Sequence, residues 1–331
     1  MDFNESVYED YDDSVRAKVQ SADVDAVFLN RIRMQYIVAY LIICTLGVIL
    51  NTYVIIAGCH LYHNLQKSTS SVWVLALAVT HLVFSAFLVL QFLYAWNYFN
   101  WHYGAALCKL SSYVIYASMF STAALLSLWS ISSSRCFEGL WAKCGIRGIS
   151  MVLILVTSSW TFGAVLSSPS LLSRELRYTE LGEQCIDDYD LDKEKTTDFG
   201  RKNVTIVVLS RFLLGVLAPM FLMIASACII QRQSGNMDGT CKRIACAIKV
   251  AYFVCWTPLL FMGVLQVTRG NSDFFRYGLP GATVLAAAHS FINPVIYLLV
   301  GHKLNMHWMK GVSYNTSGFA GANVPLHPMQ V

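Results

Sequence analysis

The sequence predicts an all-α membrane protein, a bundle of seven transmembrane helices. Three observations carry that expectation. Hydrophobic residues fill 56% of the 331 positions and charged residues only 13%, against about 25% charged in an average soluble protein. Seven stretches approach or exceed the length of about 20 residues that a helix needs to cross about 30 Å of hydrocarbon. They are residues 34–59, 71–95, 106–132, 149–168, 204–230, 244–266 and 280–300, and none contains Asp or Glu. A soluble domain would need more charge on its outer face. In lipid every backbone group must bond within its own segment, which selects helices; a barrel would read as short alternating strands instead. The net charge of +4, without a basic run, excludes a nucleic-acid binder.

The chain divides into an acidic N-terminal tail at 1–33, the bundle at 34–300 and a tail at 301–331. Loop charge orients it. The segments 60–70, 133–148, 231–243 and 301–331 hold nine basic residues against two acidic, whereas residues 1–30 hold eight acidic against two basic. Lys and Arg collect on the cytoplasmic side. The N-terminus is therefore expected outside and the C-terminus inside, at the plasma membrane. The first thirty residues lack the apolar centre of a cleavable signal, so the first crossing is expected to direct insertion. Lys303–Lys310 suits a short amphipathic helix lying on the membrane, with Leu304, Met306 and Trp308 available to lipid.

Of ten cysteines only Cys108 and Cys185 fall at outer ends or in outer loops. Outside is oxidising, so these two can pair and tie the third crossing to the second outer loop. The other cysteines read as small apolar residues without metal spacing, and no cofactor is implied. Asn4-Glu5-Ser6 is the expected glycosylation site. Asn203-Val204-Thr205 abuts the membrane, and Asn315-Thr316-Ser317 lies inside.

Several local motifs give these seven spans a resemblance. Asn293-Pro294-Val295-Ile296-Tyr297 matches NPxxY in the seventh span, and Cys255-Trp256-Thr257-Pro258 matches CWxP in the sixth. Trp160, Pro219, Gly47 and Asn51 fit single-residue marks, and Trp101-His102-Tyr103-Gly104 with Cys108-Lys109 looks like WxFG…CK. Over about residues 34–311 the chain resembles a rhodopsin-like (class A) G-protein-coupled receptor. Leu166-Ser167-Ser168-Pro169-Ser170 with Arg174, and Leu209–Gly215 with Leu217 and Pro219, are similar to the chemoattractant group: the chemerin, formyl-peptide, anaphylatoxin and prostaglandin D2 (chemoattractant-type) receptors. The resemblance implies a receptor rather than an enzyme. Its partners would be an extracellular peptide or lipid-carboxylate ligand, a heterotrimeric G protein and membrane lipids.

The expected ligand-contacting residues are Arg211, Trp256, Tyr113, Asp187 and Asp188. A guanidinium inside an apolar helix costs several kcal/mol unless it is paired or wet. No crossing supplies an acid for Arg211, so a ligand anion is expected as its partner; the alternative is snorkelling to headgroups. The resembling receptors place a cation here, in contact with acidic groups. Asp187, Asp188, Asp190 and Asp192, with the N-terminal run Tyr8–Asp13, suggest an acidic rim that draws in a ligand with basic flanks. Pro258 and Pro294 permit kinks. Trp256, Pro258, Asn293, Pro294, Tyr297, Arg135, His81 and His289 form the expected switch set. Lys249 either snorkels or meets a cytoplasmic partner.

Four departures from the pattern bear on signalling. His81 stands where the family has the aspartate that helps hold sodium, and an imidazole is a poor ligand for a hard cation. His289 is expected to face the same core. Ser134-Arg135-Cys136 replaces the acid–arginine lock, with Arg135 two residues beyond the usual register from Cys108, a turn of about 200°; ungapped counting puts Ser133 at that position. Ala227 replaces a tyrosine, and Gln91 a proline. These losses leave a second reading, a scavenger or degenerate receptor that binds ligand without driving nucleotide exchange. A transporter would show internal repeats and paired broken helices, and none is seen.

Overall fold

The computed structural model describes residues 5–64, 69–133, 148–179, 182–187, 198–232, 239–269 and 273–319, with isolated positions between 139 and 146. The described side chains fall within residues 26–299. All seven predicted spans are helices long and apolar enough to cross a membrane. They are Ala26–Cys59, Thr69–Trp96, Gly104–Ser132, Ile149–Ser173, Asp198–Ile229, Ile244–Arg269 and Gly278–Leu299, numbered here as the first to seventh crossings.

The burial pattern is inverted relative to a soluble protein. Leu172, Phe221 and Leu299 are 79%, 71% and 69% exposed, while Asn51, Ser85, Ser290 and Asn293 are fully buried. Acyl chains solvate apolar side chains as well as a protein core does. Polar groups therefore turn inward, away from the acyl chains. Hydroxyls within the helices donate back one turn, as Ser127 Oγ does to the Ala123 carbonyl at 2.8 Å and Ser159 Oγ to the Leu155 carbonyl at 2.8 Å.

The crossings close into a ring in which the first packs on the second and the seventh. The third, the most deeply buried, packs on the second, fourth and fifth. Trp73 stacks on Trp129 across the second and third crossings, with ring centroids 6.3 Å apart. Gly163 brings the fourth crossing close to the third. A Cβ there would overlap Ser121 Oγ and sit 2.8 Å from the Ala117 carbonyl oxygen, a small-residue contact typical of helix pairs in lipid.

Four details differ from the sequence expectation. The helix of the first crossing extends back to Glu5, into the segment read as a tail. The fourth helix stops at Leu166, and a short helix, Pro169–Ser173, follows with Pro169 in its first turn, where a missing N–H is harmless. The fifth crossing contains a π turn at Leu213–Leu217. The last helix continues to Phe319, so its backbone does not set off Lys303–Lys310 as a separate short helix. The intervening Leu-Leu-Val-Gly-His contains no proline, and a lone glycine costs only about 1 kcal/mol in a helix.

Two strands, β1 (Arg174–Thr179) and β2 (Gly182–Asp187), form an antiparallel hairpin between the fourth and fifth crossings. It marks one end of the bundle, called here the hairpin end.

Candidate functional site

The hairpin is held by a disulfide and two hydrogen bonds. Cys185 in β2 forms a disulfide with Cys108 at the start of the third crossing, with Cα atoms 5.7 Å apart. Trp101 N–H donates to the Glu183 carbonyl at 2.7 Å, and Glu183 N–H donates to Asn100 Oδ1 at 3.0 Å. Side chains alternate along a strand, so Asp187, two residues after Cys185, projects to the same side as the bridge. The register sets Asp187 directly opposite Arg174.

Arg211 lies at the end of the helix Asp198–Phe212, just before the π turn, and is 7% exposed. It is not a lone cation. Its Nη1 is 3.7 Å from Asp187 Oδ2. Its Nη2 donates to Ser170 Oγ at 3.2 Å. Its guanidinium carbon lies 3.6 Å from the centroid of the Tyr116 ring. Arg174 Nη1 reaches the other oxygen of Asp187 at 3.1 Å, as an ion pair whose angles miss those of a hydrogen bond. The expectation that only an incoming ligand could neutralise Arg211 is therefore corrected. The counter-charge comes from a loop rather than from a crossing, because the disulfide and the strand register carry Asp187 to the bundle. Snorkelling is equally excluded, since the guanidinium packs against Ser170 and Tyr116 inside the protein.

Tyr116 and Ser170 were missed as partners of Arg211. Ser170 stood in the sequence within Ser167–Ser170, yet a serine in a motif does not reveal what it faces. Tyr113 is half-buried on the third crossing, three residues before Tyr116. Trp256 is 3% exposed, its ring edge-on to Phe84 with centroids 6.1 Å apart. Its indole N–H is buried without a hydrogen-bond partner among the described residues. Pro258 lies inside the helix of the sixth crossing and Pro294 inside that of the seventh. Asp188, Arg135 and Asn4 lie outside the described residues. Ser133, which ungapped counting places at the arginine's position, donates to the Trp129 carbonyl at 2.9 Å.

Below this site lies a polar core. The rings of His81 and His289, each 2% exposed, meet edge to face with centroids 4.9 Å apart. His81 Nε2 is 3.4 Å from the Thr122 hydroxyl. Tyr252 packs edge-on to His289, and its hydroxyl donates to the Gly215 carbonyl inside the π turn at 2.7 Å. Asn51 Nδ2 donates to the carbonyls of Gly47 and Ser290, both at 2.8 Å. The crossings hold a single carboxylate, Asp198, exposed at the first residue of the fifth and far in sequence from the core-lining positions. The residues present do not fit sodium, which prefers oxygen and needs its charge balanced when buried.

Seven apolar helices around a buried polar core, closed at one end by a disulfide-tethered hairpin, define a heptahelical membrane protein. The chain belongs to the rhodopsin family of seven-transmembrane receptors: the family described as "7 transmembrane receptor (rhodopsin family)" matches residues 50–297. Relatives are similar over most of their length. Human chemerin-like receptor 1 is 29% identical over 323 residues, covering 91% of this chain and 84% of that protein. The pig (Sus scrofa) chemerin-like receptor 1 is 30% identical over 326 residues, covering 91% and 87%. Rat (Rattus norvegicus) chemerin-like receptor 2 is 28% identical over 258 residues, covering 75% and 71%. The chain is thus a G-protein-coupled receptor, a multi-pass protein of the plasma membrane rather than an enzyme. The family implies an extracellular ligand and a G protein as partners.

Proposed function

We propose that this receptor responds to a chemoattractant-type ligand bearing an acidic group, with a chemerin-like peptide as the first candidate and a lipid carboxylate as the second. The hairpin end faces outside, with the N-terminus there and the C-terminus in the cytosol. The observation that carries this reading is the Arg211–Asp187 pair. At 3.7 Å it is longer than the roughly 2.7–2.9 Å of a charge-assisted hydrogen bond. A ligand carboxylate that bonds Arg211 with both oxygens would outcompete it. Asp187 then acts as an exchangeable counter-ion. Asp188, Tyr113 and Trp256 complete the ligand-contacting set, and the acidic N-terminal segment draws in basic flanks. Binding shifts the population toward an arrangement in which the sixth crossing moves outward around Pro258 and a G protein docks on the opened face.

The test pairs two fluorescent chemerin peptides that differ only in a free or amidated C-terminus. Arg211→Glu is expected to lose at least about 100-fold in affinity for the free acid, the value of two charge-assisted bonds, and to keep the amide within a few-fold. Equal loss for both peptides would sink the reading. A second reading, ligand capture without nucleotide exchange, is favoured by the core: His81 replaces the expected aspartate, and Ala227 offers no hydroxyl. Ligand-dependent GDP–GTP exchange in a reconstituted system separates the two.

A further inference from the structure

The core between the first, second and seventh crossings concentrates unmet hydrogen-bonding capacity. Asn51 Oδ1, His81 Nδ1, Ser85 Oγ, His289 Nε2, Ser290 Oγ and both amide atoms of Asn293 are buried with no hydrogen-bond partner among the described residues. These atoms are gathered rather than scattered. A Cβ on Gly47 would overlap Ser85 Oγ and lie 3.2 Å from Ser290 Oγ, so both hydroxyls face the backbone of the first crossing. Asn51 bonds the Ser290 carbonyl. His289 is adjacent to Ser290 and touches His81, and Asn293 follows one turn later. So many unpartnered groups gathered in one low-dielectric core have the chemistry of a hydrated site.

Charge and donor chemistry identify its class. The first, second and seventh crossings contribute no Asp or Glu, so a buried cation would lose its hydration without a counter-charge. Imidazole nitrogen suits zinc or copper better than sodium. Yet no group of three His, Cys, Asp or Glu is assembled among the described residues, and two imidazoles leave such an ion short of ligands. An anion would likewise lose its hydration, because among the described residues this core holds no Lys or Arg to balance it. The occupant must both donate and accept, and it must be neutral. We propose that the His81–His289 core is a water site that has replaced the sodium site of the family, and that His81 is the residue that excludes sodium. A neutral imidazole keeps one donor and one acceptor nitrogen in either tautomer, so bridging waters satisfy the pair whichever nitrogen carries the proton.

The test needs no ligand and does not depend on the proposed ligand chemistry. The full-length receptor in lipid nanodiscs is melted in sodium chloride and in potassium chloride, each at ~0.15 M, and in potassium chloride with added zinc. Wild type and His81→Asn are expected to melt at the same temperature in all three. His81→Asp supplies the missing carboxylate and is expected to melt about 2 °C or more higher in sodium than in potassium. Sodium or zinc stabilisation of the wild type would overturn the proposal. A folded His81→Asp variant indifferent to sodium would overturn the assignment of exclusion to His81. The wild-type and His81→Asn measurements stand by themselves, because neither buries a new charge.

Discussion

Removing the charge of Asp187 separates exchange from simple ligand contact. In Asp187→Asn the side chain keeps its shape, but Arg211 and Arg174 both lose their shared anion. At the observed 3.7 Å, Coulomb's law with an effective dielectric near 20 gives about 4.5 kcal/mol of attraction. The Asp187 side chain is 27% exposed, and the pair's own desolvation opposes the attraction. A net value of about 1 kcal/mol is therefore the appropriate scale. A ligand acid that must displace Asp187 works against that amount in the wild type and not in the variant. The free-acid peptide is expected to bind Asp187→Asn about fivefold more tightly, with the amidated peptide unchanged. Saturation binding on purified receptor in nanodiscs measures both, and a melting curve checks that the variant is folded. If the free acid binds more weakly, or both peptides gain equally, Asp187 is not in competition with the ligand and the exchange model fails.

Two further outcomes concern the scaffold. Cys185→Ser opens a bridge that spans 77 residues of sequence, worth about 4 kcal/mol on a chain-entropy argument. It also frees the strand that presents Asp187. A lower melting temperature and a loss of free-acid selectivity are expected together, read by thermal unfolding and the paired peptides. Tyr252→Phe removes the hydroxyl that donates to the Gly215 carbonyl at 2.7 Å, leaving an acceptor in the π turn unmet. It should cost about 1 kcal/mol, or about 2 °C in melting temperature for a chain of this size. An unchanged melting curve would mean that water replaces the hydroxyl.

The seven crossings were legible because the signal is local: each is a run of about 20 residues or more whose composition alone sets the cost of leaving lipid. Cys108 and Cys185 were legible as well, since topology left only these two near the oxidising side. His289 could be placed in the core because it lies four residues before the Asn293–Tyr297 motif, and His81 because it stands where the family has its aspartate. The charge state of the ligand site was not legible. Arg211 lies on the fifth crossing, and its partners come from the third crossing, the short helix that ends the fourth and a hairpin strand. Which of several loop aspartates arrives depends on the disulfide anchor and on strand alternation, which sends Asp187 to the side of Cys185. A one-residue change of register would have sent it away. The π turn at Leu213–Leu217 carries no composition mark either, because its reward is a contact between helices, Tyr252 on Gly215. Hydrophobic transfer is additive along the chain and so can be read from it. An ion pair or a hydrogen bond between distant segments depends on positions fixed only when the helices pack, and tertiary structure therefore decided what stands beside Arg211.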